Sequence, residues 1–149
     1  MTALTSGNAS AVLYWWGASA STANSGLIQL LGDSYTASGR FWAFAAFSRF
    51  IRPGAVRVAA SANGSPGLAG AAFRNRDGSL VVELLNTTSS AAPVHIGLRG
   101  LPPSDSATPY LTDATDQVAA QPPVGVRVGQ LALSAPARSV LTVVLLTRR

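Results

Sequence analysis

"GRFWAFAAFSRFIRPGAVRV", residues 39–58, decides how the chain is built. Up to Ile51 its apolar residues recur with helical period: Phe41, Phe44, Phe47 and Ile51 fall within one arc, Phe50 lies at its edge and Trp42 well off it. A helix with aromatics on two sides is expected to touch two bodies. Arg52-Pro53 then stops it, because the proline ring disfavours the α region for the residue before it, and Gly54 supplies the backbone freedom for an abrupt exit. Upstream, Ser34, Thr36 and Ser38 are candidate N-caps, each with a hydroxyl able to accept a hydrogen bond from an amide of the first turn.

Past Gly54 the chain reads as strands, with turn signals about every ten residues. The runs are 55–61, 68–74, 79–86, 93–99, 107–112, 124–134 and 139–147. Asp77-Gly78 between two of them is a hairpin signal, since a type I′ turn needs positive φ at both central residues. In "PVHIGLR", Val94, Ile96 and Leu98 point one way, His95 and Arg99 the other. "SVLTVVLLT" hardly alternates, which predicts a central strand covered on both faces. Short strands at this spacing indicate an antiparallel β-sandwich. Before the helix, "SAVLYWWG" (10–17) reads as a buried strand, followed by a Ser/Ala/Asn loop to Gly26, then "LIQLL" and a turn at "GDS".

A chain of 149 residues, 48% hydrophobic, has room for one sizeable core and a small appendage. Its net charge of +5 does not read as a nucleic-acid surface, because all eleven cations are arginines scattered singly except for Arg74/Arg76 and Arg148-Arg149. No apolar run reaches the 18 residues of a membrane span. With no cysteine, disulfide frameworks, thiolate metal sites and cysteine nucleophiles are all excluded. Three N-x-[ST] triplets, at Asn8, Asn63 and Asn86, are candidate glycosylation sites and hint at secretion. "MTALTSGNAS" has no basic n-region, so the signal peptide of a secreted protein would lie upstream of it.

Catalytic chemistry is sparse. Glu83 lies mid-strand in "VVELL", on the face opposite Val82 and Leu84, and is expected to be a solvent-facing or an edge-guarding charge. Asp113 and Asp116 in "LTDATDQ" lack the spaced oxygens of a calcium loop and read as turn residues, as do Asp33, Asp77 and Asp105. His95 is the only histidine, without ligating partners or a nucleophile motif. No phosphate-binding glycine loop occurs, and no cofactor or metal is expected. The aromatic run "LYWWG" has two readings: Tyr14, Trp15 and Trp16 as core, or as the lining of a sugar cleft, where indole faces stack on pyranose rings.

"VLYWWGAS", "SGLIQL", "GRFWAFAAFSRFIRPGAVRV", "AAFRNRDGSLVVELLN", "PYLTDATDQVA" and "LSAPARSVLTVVLL", in that order, resemble the C-terminal portion of glycoside hydrolase family 30, secreted endo-xylanases, β-1,6-galactanases and β-glucanases. "FSRFIRPGAVRV" is the most specific element. The resemblance implies a mainly β fold: a β-sandwich over 54–149, preceded in 1–53 by the last β/α unit of an otherwise missing (β/α)8 barrel. Residues 10–17 would be the eighth barrel strand, and 38–52 the eighth helix, packed between barrel and sandwich. Family members are retaining enzymes with two strand-end glutamates; neither has a counterpart here, and Glu83 maps to the sandwich. Trp15 and Trp16, with Tyr14 beside them, match the family's substrate-lining aromatic pair. A lone strand and helix cannot close a barrel, so unpaired edges and an exposed apolar face are expected in 1–37. The implied function is that of an extracellular polysaccharide hydrolase of which this chain is an inactive fragment. A non-catalytic polysaccharide-binding sandwich and an Ig-like adhesion module are the alternatives.

Overall fold

The computed structural model describes residues 1–21, 25–60, 66–100 and 104–146. In chain order the elements are β1 (Ala18–Ser19), β2 (Ile28–Leu31), β3 (Ser34–Ala37), α1 (Gly39–Phe50), β4 (Val56–Val58), β5 (Leu68–Arg74), β6 (Leu80–Asn86), β7 (Ala92–Gly97), β8 (Ser106–Thr112), β9 (Ala119–Ala120), β10 (Val124–Gly125), β11 (Gln130–Ala135) and β12 (Ser139–Leu145).

From β4 onward the chain is an antiparallel sandwich. The larger sheet has the order β10-β8-β12-β6-β5-β4, with β9 also on β8; the smaller pairs β11 with β7. Because strand side chains alternate, Leu80, Val82 and Leu84 of β6 and Leu141, Val143 and Leu145 of β12 all point inward, where they meet Val94, Leu131 and Ala135 of the smaller sheet. In β12, central as its sequence predicts, both faces are buried because α1 lies across the outer one.

The stripe of α1 that faces the sandwich is made of small residues and Phe50. Gly39, Ala43, Ala46 and Phe50 recur at i, i+4, i+7 and i+11. Gly39 and Ala43 line a hollow together with Leu85 and Val140 of the sheet, Ala46 is fully buried, and the Phe50 ring lies 4.5 Å from that of Tyr110. The arc of Phe41, Phe44, Phe47 and Ile51 therefore lies round the helix from the sandwich, half-buried. Of the three candidate caps only Ser38 serves, accepting from the Phe41 amide at 3.3 Å; Ser34 and Thr36 belong to β3. The exit follows its residues: Ala55 N–H donates to the Arg52 carbonyl, and Gly54, at φ 82°, takes the third position of a type II turn. Asn75 stitches this joint to the β5–β6 hairpin, accepting from Arg52 N–H and donating to the Phe50 carbonyl and Ser79 Oγ.

Three expectations change. Residues 10–17 form no strand; Leu13 is 94% exposed, because among the described residues this run finds a neighbouring strand only from residue 16 onward, at Leu27 to Gln29. The run 124–134 divides at a turn where Val128 and Gly129 both have positive φ, and β10 joins the larger sheet while β11 joins the smaller. The Asp77-Gly78 hairpin has a three-residue loop instead of a type I′ turn: Gly78 alone is left-handed, and its amide donates to the Asn75 carbonyl.

Candidate functional site

The densest group of exposed aromatics is on the run before β1. The Trp16 and Gly17 carbonyls accept from Leu27 and Ile28 N–H, which lays the end of this run along β2. Tyr14 is tied down more tightly. Its hydroxyl donates to the Ser25 carbonyl and accepts from Arg40 of α1 at 2.8 Å. Arg40 also donates to the Ser25 carbonyl at 2.9 Å and lies 5.3 Å above the Tyr14 ring, while Phe44 meets that ring at 5.7 Å. Trp15 and Trp16, next along the chain, are 87% and 38% exposed with ring centroids 5.4 Å apart. Of the two readings of "LYWWG", core packing within this chain is excluded for Trp15. Paired exposed indoles can stack on flat apolar surfaces such as sugar faces.

Val12, Leu13, Leu30, Leu31 and Tyr35 are further exposed apolar side chains of this segment, with Leu30 and Tyr35 paired on one face of the β2–β3 hairpin and Leu31 on the other. The structure thus brings Tyr14, Trp15 and Trp16 together and adds Arg40, which sequence reading leaves among the scattered arginines. Its signal is its place in the first turn of the helix, facing a tyrosine that no local pattern pairs with it.

The glycosylation candidates separate. Asn8 is exposed, its Oδ1 accepting from Arg57. Asn63 lies outside the described residues. Asn86 is 1% exposed, and its amide donates to the carbonyls of Ser90, Ala135 and Pro136 while its Oδ1 accepts from Thr88. In the folded chain it is a structural clamp and is closed to a glycan.

Glu83 is the largest correction. It is 0% exposed, beneath α1 and not at an edge. Its Oε2 is bonded to Thr142 Oγ1 at 2.8 Å, and its Oε1 has no partner among the described residues. Burial pushes its carboxyl from 4.5 up to about 8, outweighing the lowering effects of the Thr142 hydrogen bond and the Met1 ammonium. Val81 and Leu85 share its face of β6, a local hint of an apolar face, but it is the seating of α1 there that buries the carboxyl. Asp113 is a turn residue, as read; the amides of Asp116 and Thr115 hold its carboxyl below the usual range. Among the described residues no cluster of His, Cys, Asp or Glu could hold a metal.

A family model, the glycosyl hydrolase family 30 beta sandwich domain, matches residues 54–143. The chain belongs to glycoside hydrolase family 30. Three solved family 30 structures resemble it. The catalytic domain of xylanase C from Talaromyces cellulolyticus is 34% identical, over 83% of this chain and 28% of its own, with a TM-score of 0.65. An endoxylanase from Clostridium papyrosolvens C71 is 27% identical, over 74% of this chain and 28% of its own, at 0.69. The subfamily 8 xylanase Xyn30A from Clostridium acetobutylicum matches 97% of this chain and 36% of its own at 0.84; at 21% identity that likeness is one of fold. The chain spans about a third of the length of these family 30 structures.

Proposed function

We propose that this chain is the C-terminal part of a secreted, retaining glycoside hydrolase acting on plant or fungal cell-wall polysaccharide, either xylan, β-1,6-galactan or β-glucan. In this reading residues 1–53 are the last strand and helix of a (β/α)8 barrel and 54–149 its side sandwich. Trp15 and Trp16, backed by Tyr14, line the substrate cleft, and the catalytic glutamates belong to upstream sequence. The observation that carries the proposal is the exposed tryptophan pair, anchored through Tyr14 and Arg40 to a helix seated on a family 30 sandwich. Polysaccharide is the partner through the longer enzyme.

A free-standing polysaccharide-binding sandwich is less well supported. Beyond residue 54 the aromatics are Phe73, which is buried, and Tyr110, which packs against Phe50 and Arg49, so neither offers a stacking platform.

Two measurements test the proposal. The 149-residue chain should release no reducing sugar from xylan, β-1,6-galactan or β-glucan; turnover abolished by changing Glu83 overturns it. In the protein expressed with its upstream reading frame, Trp16→Ala should lower kcat/KM on the preferred polysaccharide by at least about tenfold, the equivalent of one lost stacking contact of about 1.4 kcal/mol. Unchanged kcat/KM in a folded variant removes the tryptophan pair from the cleft.

A further inference from the structure

Glu83 takes no part in the aromatic site. It sits mid-way along β6 on the face that α1 covers, beside Ala71 of β5 on one side and Thr142 of β12 on the other. Thr142 Oγ1 lies 2.8 Å from Glu83 Oε2 and 3.5 Å from the carbonyl oxygen of Ala46 in α1. A hydroxyl carries one hydrogen. With Glu83 ionised, the carboxylate and the Ala46 carbonyl compete for that hydrogen, and a charged Oε1 is left bare in a site closed to water. A carboxylic acid supplies the missing hydrogen.

We propose that Glu83 is held as the neutral acid in the folded chain and donates to Thr142 Oγ1, which donates on to the Ala46 carbonyl, making the seat of α1 on the sandwich a proton-operated latch. The latch is closed in acid and loosens when the proton leaves to water. The groups around it are few. β5 offers Ala71, β12 offers Thr142, and Tyr110 of β8 lies beyond Thr142 in the register. From α1, Arg49 lies over the Phe50 and Tyr110 rings at 5.2 and 5.5 Å, and the Met1 ammonium acts on the carboxyl through space. Neither cation ion-pairs with Glu83 among the described residues.

The sign follows from linkage. The folded chain holds a proton up to about pH 8 that the unfolded chain releases near 4.5, so the stabilisation is complete below 4.5 and is lost as pH rises through 8. The test is carboxyl carbon-13 and amide nitrogen-15 NMR on the 149-residue chain from pH 4 to 9, with the thermal midpoint followed in parallel. The Glu83 carboxyl carbon should remain in its protonated position at pH 6, and amides of residues 43–50 should shift with the same midpoint as that carboxyl. The folding equilibrium constant should fall on the order of a hundredfold between pH 4.5 and 7. Glu83→Gln, which donates without titrating, should abolish most of that fall. A folded-state Glu83 that titrates near 4.5, a wild-type pH dependence kept by the folded Glu83→Gln chain, or α1 amides indifferent to the Glu83 titration each overturn the proposal. The NMR titration needs no variant, so it decides even if Glu83→Gln fails to fold.

Discussion

Asn75→Ala removes a side chain that accepts from Arg52 N–H and donates to the Phe50 carbonyl and to Ser79 Oγ. Those groups lose their partners where the helix meets the hairpin, and the expected loss in unfolding free energy is about 2 kcal/mol, read by urea denaturation. Asn86→Asp tests the other buried amide. An aspartate cannot donate to the carbonyls of Ser90, Ala135 and Pro136, and would face them with lone pairs, so a loss of about 3 kcal/mol is expected. Neither role can be seen in the residue alone. Asn75 and Asn86 both stand at strand ends, where turn residues are common, and Asn86 even carries a sequon. What makes them clamps is the arrival of carbonyls from chain distant in sequence. Glu83 makes the same point: alternation assigns it to the right face of β6, and only the packing of α1 turns that face from solvent into interior.

At the scale of elements, the helix and its exit were the most legible part of the chain. Pro53-Gly54 dictates a stop and a turn by local sterics, and both occur. Gly54→Ala is therefore expected to cost about 1–2 kcal/mol, for the left-handed φ of 82° and for a Cβ pressed against the Arg76 guanidinium, measured by thermal or urea unfolding. The helix periodicity picks out the aromatic arc, yet the stripe that meets the sandwich is the one of small residues. Hydrophobic periodicity detects large apolar side chains and is blind to a contact made through Ala46, which is fully buried against the sheet. Ala46→Leu should lose about 1–3 kcal/mol by overpacking this contact, and the near-ultraviolet circular dichroism of Phe50 and Tyr110 should weaken with it. In β10 and β11 the failure is of another kind: one apolar run serves two sheets, and the turn at Val128-Gly129 needs a left-handed valine that no propensity would place there.

For the whole molecule, the sandwich has a closed core and the segment before α1 does not. Leu13 and Trp15 on the run before β1, and Leu30 and Tyr35 paired across β2 and β3, leave large apolar side chains exposed on this segment. The 149-residue chain should therefore self-associate with rising concentration in sedimentation velocity runs, and Leu13→Ser with Trp15→Ser should shift it toward monomer without changing the unfolding midpoint. By itself the sequence determined the antiparallel sandwich, its central strand β12, the helix and its stop, since each rests on short-range sterics or on alternation within one strand. It also carried the aromatic run and the family resemblance. Tertiary structure alone decided which residues of that framework matter: that Glu83 is buried, that Asn86 is a clamp, that Arg40 holds Tyr14, and that Trp15 stands exposed. Burial and hydrogen bonding depend on which distant segments arrive at a residue, and a pattern read along one strand or helix does not contain its neighbours.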